Sequence, residues 1–297
     1  MPFPHAGEIS ALLAPLCWAV AVILYRRSVG VSALSMNLFK NALAVVLLGF
    51  TVWALGVPFP ADRSWTDWLR LVASGVLGLA VADTLLFEGL RRVGAARVAL
   101  VDTVYAPLMV VLSWAFLGER PSGSFLIGAA AVVVGVTLAT VDVRAAFAAG
   151  ERQIVIGMTF ALGAIVGTVF GVLLAKPVLE ESDLFEVTLT RLVAGNVALA
   201  LFVTARGGWR EASVAFRPAP VWKTLVPGAV IGTYLSLVFW LGGFKWGDAS
   251  VAAVLNQMAT VYILALARIV LGETLEPRQV GGALVAAGGA LFIVLAA

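Results

Sequence analysis

Apolar residues run through this chain in blocks of about twenty, and charged, Pro and Gly clusters separate the blocks. The blocks are apolar on every side. A surface helix would show one apolar stripe, and a half-buried strand would alternate every second residue. A helix that crosses the hydrocarbon core of a bilayer needs about 20 such residues. The pattern predicts ten of them, over 8–25, 33–56, 69–90, 97–117, 123–141, 153–175, 184–205, 224–244, 249–271 and 276–296. Breaks fall at Val57-Pro58-Phe59-Pro60, Gly118-Glu119-Arg120-Pro121 and Arg206-Gly207-Gly208. A transmembrane barrel would need strands of about ten alternating residues, and that pattern is missing. The fold class is therefore all-α, a polytopic membrane protein of about ten transmembrane helices.

Composition agrees. Of 297 residues, 61% are hydrophobic and 12% charged, and the mean hydropathy is +1.02. Soluble domains carry about 25% charged residues. The net charge of +3 is scattered over helix ends and forms no cluster, so nucleic acid is not an expected partner. One cysteine, Cys17, allows no internal disulfide, and with the lone His5 it makes no metal site. No cofactor is implied. No cleavable signal peptide is expected, because the segment before the first span lacks a basic region.

The chain repeats itself. Trp114 to Arg120, with Leu117-Gly118-Glu119, is echoed by Arg268 to Thr274, with Leu271-Gly272-Glu273. At the same offset Gly128 meets Gly282 and Gly135 meets Gly289; upstream, Gly94 to Ala99 is echoed by Gly247 to Ala252. Lys40 falls opposite Arg191. Two five-helix halves, 1–143 and 144–297, are joined by a linker at 142–152. Five is odd, so the second half must enter the membrane in the opposite sense: an inverted repeat, the plan of many secondary transporters.

These residues resemble a known family. The run Asp83 to Ala99, then Ala106-Pro107, then Leu117-Gly118-Glu119-Arg120, then a Gly-rich last helix, is similar to the EamA branch of the drug/metabolite transporter superfamily. Trp18 in the first helix and Lys40 in the second also fit. The resemblance covers the whole chain, once per half. It implies an exporter or permease of small metabolites, often amino acids, driven by an ion gradient or by the substrate gradient; the abundance of Ala, Val and Arg over Ile and Lys suggests a GC-rich bacterial genome, so the bacterial plasma membrane is the expected location. The second half departs from the pattern at Val261, which stands where Pro107 stands, so a proline kink is expected in one half only. Loop Lys and Arg concentrate in the odd-numbered loops, which by the positive-inside rule puts both termini outside; the resemblance implies both inside.

Ionisable groups inside spans cost about 2.5–3.5 kcal/mol each at the helix centre, so each needs a reason. Lys40, Asp83, Glu88, Asp102, Arg191 and Arg268 qualify. Glu88 and Arg268 lie near helix ends, where snorkelling explains them. Asp83 is either a structural bond to a neighbouring helix or a proton-coupling group, as is Asp102. Lys40 and Arg191, as repeat equivalents, are expected on opposite sides of one cavity. Asp102 with Tyr105, and Asn256 with Thr260, share helix faces, and Gln257 adjoins them. Lipid cannot satisfy such faces, so they are expected to line the cavity. Cation, anion and amide groups together suit a zwitterionic or polar substrate; the alternative is a salt-bridged core. Trp18, Tyr105, Tyr234 and Trp240 are candidate walls, whereas Trp53, Trp65, Trp68, Trp209 and Trp222 read as an interfacial belt. Gly163, Gly167 and Gly171 form a stripe for close helix packing. Pro107 is the candidate hinge.

The expected function is secondary transport of a small molecule by alternating access. An antiporter of phosphorylated sugars or nucleotide sugars would use the bases Lys40 and Arg191, although Asp102 would repel a phosphate. A membrane scaffold subunit without a substrate is the reading from another class. No nucleophile–base pair, phosphate loop or HExxH sequence points to an enzyme. The expected partners are the substrate and the bilayer, with the protein as a monomer or a dimer.

Overall fold

The computed structural model describes residues 4–28, 31–60, 62–140, 151–217, 220–272 and 274–296. The boundary between the expected halves, at 143/144, lies outside them. Among the described residues ten helices are long and apolar enough to cross a membrane, and there is no strand. In chain order the helices are α1 (Ala6–Arg26), α2 (Ala33–Ala54), α3 (Trp65–Gly75), α4 (Ala82–Asp102), α5 (Tyr105–Leu117), α6 (Gly123–Thr140), α7 (Glu151–Glu181), α8 (Leu184–Ala205), the short α9 (Trp209–Ala212), α10 (Trp222–Ala229), α11 (Ser236–Trp246), α12 (Ala249–Asn256), α13 (Ala259–Leu271) and α14 (Pro277–Ala296). Trp53 and Trp65 are each 75% exposed at helix ends, in keeping with an interfacial belt.

Two departures from regular helix recur at an offset of 154 residues. A π-helical segment, Val76–Val81, joins α3 to α4, and its counterpart Val230–Leu235 joins α10 to α11. Each holds a glycine, Gly78 and Gly232. π-segments leave the regular hydrogen-bond ladder locally and gather at functional sites. The second departure is a break. The ninth expected span, 249–271, opens at Gln257–Met258, and the fourth, 97–117, opens at Thr103–Val104. The bonds around the breaks match: Val104 N to Val101 O and Met258 N to Leu255 O are each 3.0 Å, while Leu108 N to Val104 O is 2.9 Å and Tyr262 N to Met258 O 3.0 Å.

This corrects the expected asymmetry. Val261 does not spare the second half a break. Pro107 is the third residue of α5, in a first turn whose N–H groups have no partner within the helix, so its missing N–H costs little there. The chain breaks whether or not a proline follows. A second correction concerns residues 91–96, expected as a turn. The backbone is helical from Ala82 to Asp102, whereas the echoing segment stops at Gly247 in extended conformation (φ −140°, ψ 171°). Asp248, a residue suited to a helix start, follows Gly247, while Ala95 and Ala96 follow Gly94 and favour continuation.

Helices α6 and α14 meet through glycines. A Cβ on Gly135 would lie 2.6 Å from Gly282 O, and one on Gly289 would lie 2.7 Å from Gly128 O. Gly135 thus faces Gly282 and Gly128 faces Gly289, so the two helices run antiparallel, and the repeat exchanges one contact for the other. The stripe on α7 packs likewise: a Cβ on Gly167 would lie 3.2 Å from Leu77 O, and one on Gly171 3.1 Å from Ser74 O. Ser74 Oγ also donates to Gly171 O.

The face where α1 begins is tied shut. A Cβ on Gly7 would lie 2.7 Å from Gly247 N, so α1 rests directly on the α11–α12 turn. Lys176 Nζ donates to Phe244 O at 3.0 Å and Gly247 O at 2.9 Å. Those carbonyls make it possible to bury Lys176, and α7 continues to Glu181, past the expected end at 175. Lys245 Nζ reaches back to Leu179 O at 2.6 Å. Arg63 meets Glu186 with both nitrogens, at 2.7 and 2.6 Å, and both side chains are almost fully buried. Glu119 Oε1 accepts from Ala249 N at 2.6 Å, and its Oε2 accepts from Ser250 N at 3.0 Å, so it closes the start of α12.

Candidate functional site

A cavity of about 370 Å³ is lined by residues from both halves of the chain, inside the range of about 300–1,000 Å³ typical of small-molecule sites. Trp18, Lys40, Asp83, Asp102, Tyr105, Asn256 and Gln257 all line it, so seven expected residues from five spans come together. Thr260 and Trp240 line it too. Asp102 and Trp18 both keep substantial exposure.

One wall carries a polar chain on α2 and α4. Lys40 Nζ donates to Asn41 Oδ1 at 3.2 Å, and Asn41 Nδ2 donates to Asn37 Oδ1 at 3.3 Å. Lys40 and Asp83 interact electrostatically, and Asn37 adjoins Asp83. One cation and one carboxylate thus share this wall. Asn37 and Asn41 were not singled out from sequence. Their signal is the spacing of four within an apolar span, which puts both on one helix face.

The opposite wall is made by the two breaks. Asp102 ends α4 and Tyr105 begins α5, so the pair flanks the break rather than sharing an unbroken helix face; Asn256 and Thr260 flank the other in the same way. Gln257 Nε2 donates to Asp102 O at 3.3 Å and ties one break to the other. Broken helices place free backbone groups and polar side chains where lipid cannot reach them. Asp102 has no ion-pair partner among the described residues.

Arg191 does not line the cavity. It sits just behind the wall, 2% exposed, with its guanidinium carbon 5.7 Å from the centroid of the Trp240 ring. Its Nε and Nη1 have no hydrogen-bond partner, and neither have Tyr105 Oη or Asn256 Nδ2. Lys40 and Arg191 are therefore not matched residues on facing walls. At the 154-residue offset Asp83 meets Leu237, so the second half lacks the acid that answers Lys40 in the first. Tyr234 also departs from expectation: its hydroxyl bonds Thr51 Oγ1 at 2.8 Å, between α2 and the second π-segment, outside the cavity lining. Glu88 pairs with Arg92 at 2.7 Å, one turn away, and Arg268 is exposed on the last turn of α13.

The sequence is similar to proteins of known type. Over 286 residues it is 27% identical to the "Probable terminal-alkyne amino-acid exporter" of Streptantibioticus cattleyicolor, covering 93% of this chain and 90% of that protein. Over 141 residues it is 24% identical to the "Uncharacterized transporter YxxF" of Bacillus subtilis, 46% of this chain and 43% of that one. A solved crystal structure shares the fold with a TM-score of 0.81 at 18% identity, covering 99% of this chain and 98% of that one. The sequence profile of the EamA-like transporter family matches twice, over residues 5–141 and 155–295. This chain, a multi-pass protein of the plasma membrane with one such copy in each half, belongs to the EamA-like transporter family.

Proposed function

We propose that this transporter moves small polar metabolites, amino acids foremost, by alternating access between its two halves. The observation that carries the reading is a cavity whose lining draws Lys40, Asp83, Asp102, Asn256 and Gln257 from both halves of a ten-span membrane fold. The antiparallel α6–α14 pair and the matching π-segments and breaks support an inverted relation between the halves, which would let the cavity face each side in turn. Bending is assigned to Thr103–Val104 and Gln257–Met258, with Pro107 as a fixed first-turn residue. The wall chemistry favours a zwitterion over a phosphorylated sugar: Asp83 answers Lys40, and the uncompensated Asp102 would repel a phosphate and attract an amine. The exporter from Streptantibioticus cattleyicolor, named for an amino acid, points the same way.

Asp102 is also the carboxylate best placed to carry a proton, having no cation to hold its charge. Counterflow in proteoliposomes loaded with unlabelled leucine, phenylalanine or serine tests the whole reading. Uptake of the matching labelled amino acid is expected, and a scaffold protein would show none. Asp102→Asn should abolish uptake driven by a proton gradient while sparing exchange. Full gradient-driven uptake by that variant removes the proton role.

A further inference from the structure

We infer that Arg191, reached through a window at Gly78, is the group that binds the acceptor end of the substrate and sets the preference for a carboxylate. The inference rests on the transport reading above and assigns one end of that cavity. Three groups in or behind the cavity lining have donors without a partner: Arg191 through Nε and Nη1, Tyr105 through its hydroxyl, and Asn256 through Nδ2. Buried donors are almost always paired in folded proteins, and an unpaired set in one place marks a site that a ligand completes. Tyr105 lies within electrostatic range of both Asp102 and Arg191. A ligand bridging it would meet an anion on one side and a cation on the other.

Access to Arg191 depends on a missing side chain. Gly78 lines the cavity, and a Cβ built there would lie 3.8 Å from Arg191 Nη2. The same Cβ would lie 3.8 Å from Gly171 Cα, so Gly78 sits where the cavity, Arg191 and α7 meet, and the π-segment that holds it sets its position. The Trp240 ring holds the guanidinium carbon from another side at 5.7 Å, a cation–π contact that steadies a charge without neutralising it. The contrast with Lys40 decides which base is free. Lys40 lies in the field of the Asp83 carboxylate and donates a hydrogen bond to Asn41; Arg191 is acted on by the Tyr105 phenol, and its Nε and Nη1 have no partner. A planar guanidinium also suits a carboxylate, which can accept two parallel hydrogen bonds from it.

The test uses the full chain in nanodiscs and reads apparent affinity from thermal stabilisation. Leucine, phenylalanine and serine are each compared with the corresponding amino amide and the decarboxylated amine. The wild type should bind the acid at least about 10-fold more tightly than the amide, as loss of a charged hydrogen-bonding partner at a buried site requires. Arg191→Gln should reduce that preference below about 3-fold. Gly78→Leu, which plugs the window and leaves Arg191 in place, should do the same and serves if Arg191→Gln fails to fold. Lys40→Gln should keep the preference. Retention of the preference in a folded Arg191→Gln protein, or its loss in Lys40→Gln, overturns the assignment. Equal wild-type affinity for acid, amide and amine overturns it too and leaves the transport reading standing. Absence of binding by every compound, together with no counterflow, defeats the amino-acid reading and the assignment with it.

Discussion

The carboxylate of Glu119 should be among the most valuable single groups on the closed face. It accepts from Ala249 N at 2.6 Å, Ser250 N at 3.0 Å and Ser250 Oγ at 2.7 Å, and Lys176 Nζ lies 3.9 Å away. The side chain is 8% exposed, so water cannot replace these bonds. Hydrogen bonds to a charged group contribute about 1.5–3 kcal/mol each, and the negative charge also favours the start of α12, where N–H groups point outward. Glu119→Gln keeps one acceptor oxygen and turns an NH2 group toward backbone donors. At least one bond is lost and one donor is left unpaired, for a cost of about 3 kcal/mol. Ser250→Ala removes only the hydroxyl bond and should cost about 1–2 kcal/mol. The double variant should cost less than the sum, because the two changes share one interaction. Equilibrium unfolding in mixed micelles, followed by tryptophan fluorescence, measures all three. A cost below about 0.5 kcal/mol for Glu119→Gln, or strict additivity with Ser250→Ala, would refute the account of this contact.

Three further outcomes are expected. Arg63 and Glu186 are 4% and 1% exposed, so removing either partner should cost about 3–5 kcal/mol by leaving a buried charge, while the double change to Met and Leu should recover most of that loss, read by the same unfolding assay. Burial first, then the carboxylates of Glu119, Glu8 and Glu180, hold Asp248 above the usual carboxylate range against the opposing pull of Lys176. A raised folded-state pKa gives stability that is present in acid and lost as pH rises through that pKa; Asp248→Asn should therefore raise the melting temperature at pH 7 and make no difference below about pH 4, and equal shifts at both pH values would contradict the cause. Pro107→Ala should change stability by less than about 1 kcal/mol and leave the break at Thr103–Val104, because the second half breaks without a proline; strong protection from hydrogen exchange of the amide that the variant gains at position 107 would show a bond back to Thr103 O, and hence that the proline makes the break.

Much of this protein is set locally. Each apolar block of about twenty residues must become a helix, since nothing else satisfies a backbone in hydrocarbon, and the expected spans 8–25 and 184–205 differ from α1 and α8 by two residues or fewer. The repeat of Leu117-Gly118-Glu119 in Leu271-Gly272-Glu273 needs no structure to be seen, and neither does the expense of Lys40, Asp83 and Asp102 inside a membrane. What those groups do is decided elsewhere in the chain. The break at Gln257–Met258 carries no proline or glycine, and it is visible only where Gln257 meets Asp102 across 155 residues of sequence. Lys40 and Arg191 look equivalent along the chain, yet one is answered by Asp83 while the other faces Leu237 at the matching offset, behind a glycine. Lys176 and Glu119 read as loop charges until α7 and α12 close over them. Hydrophobic length is a property of a segment, so sequence alone determines it; charge compensation and access depend on which distant side chains share a few ångströms, and only the packed tertiary structure decides that.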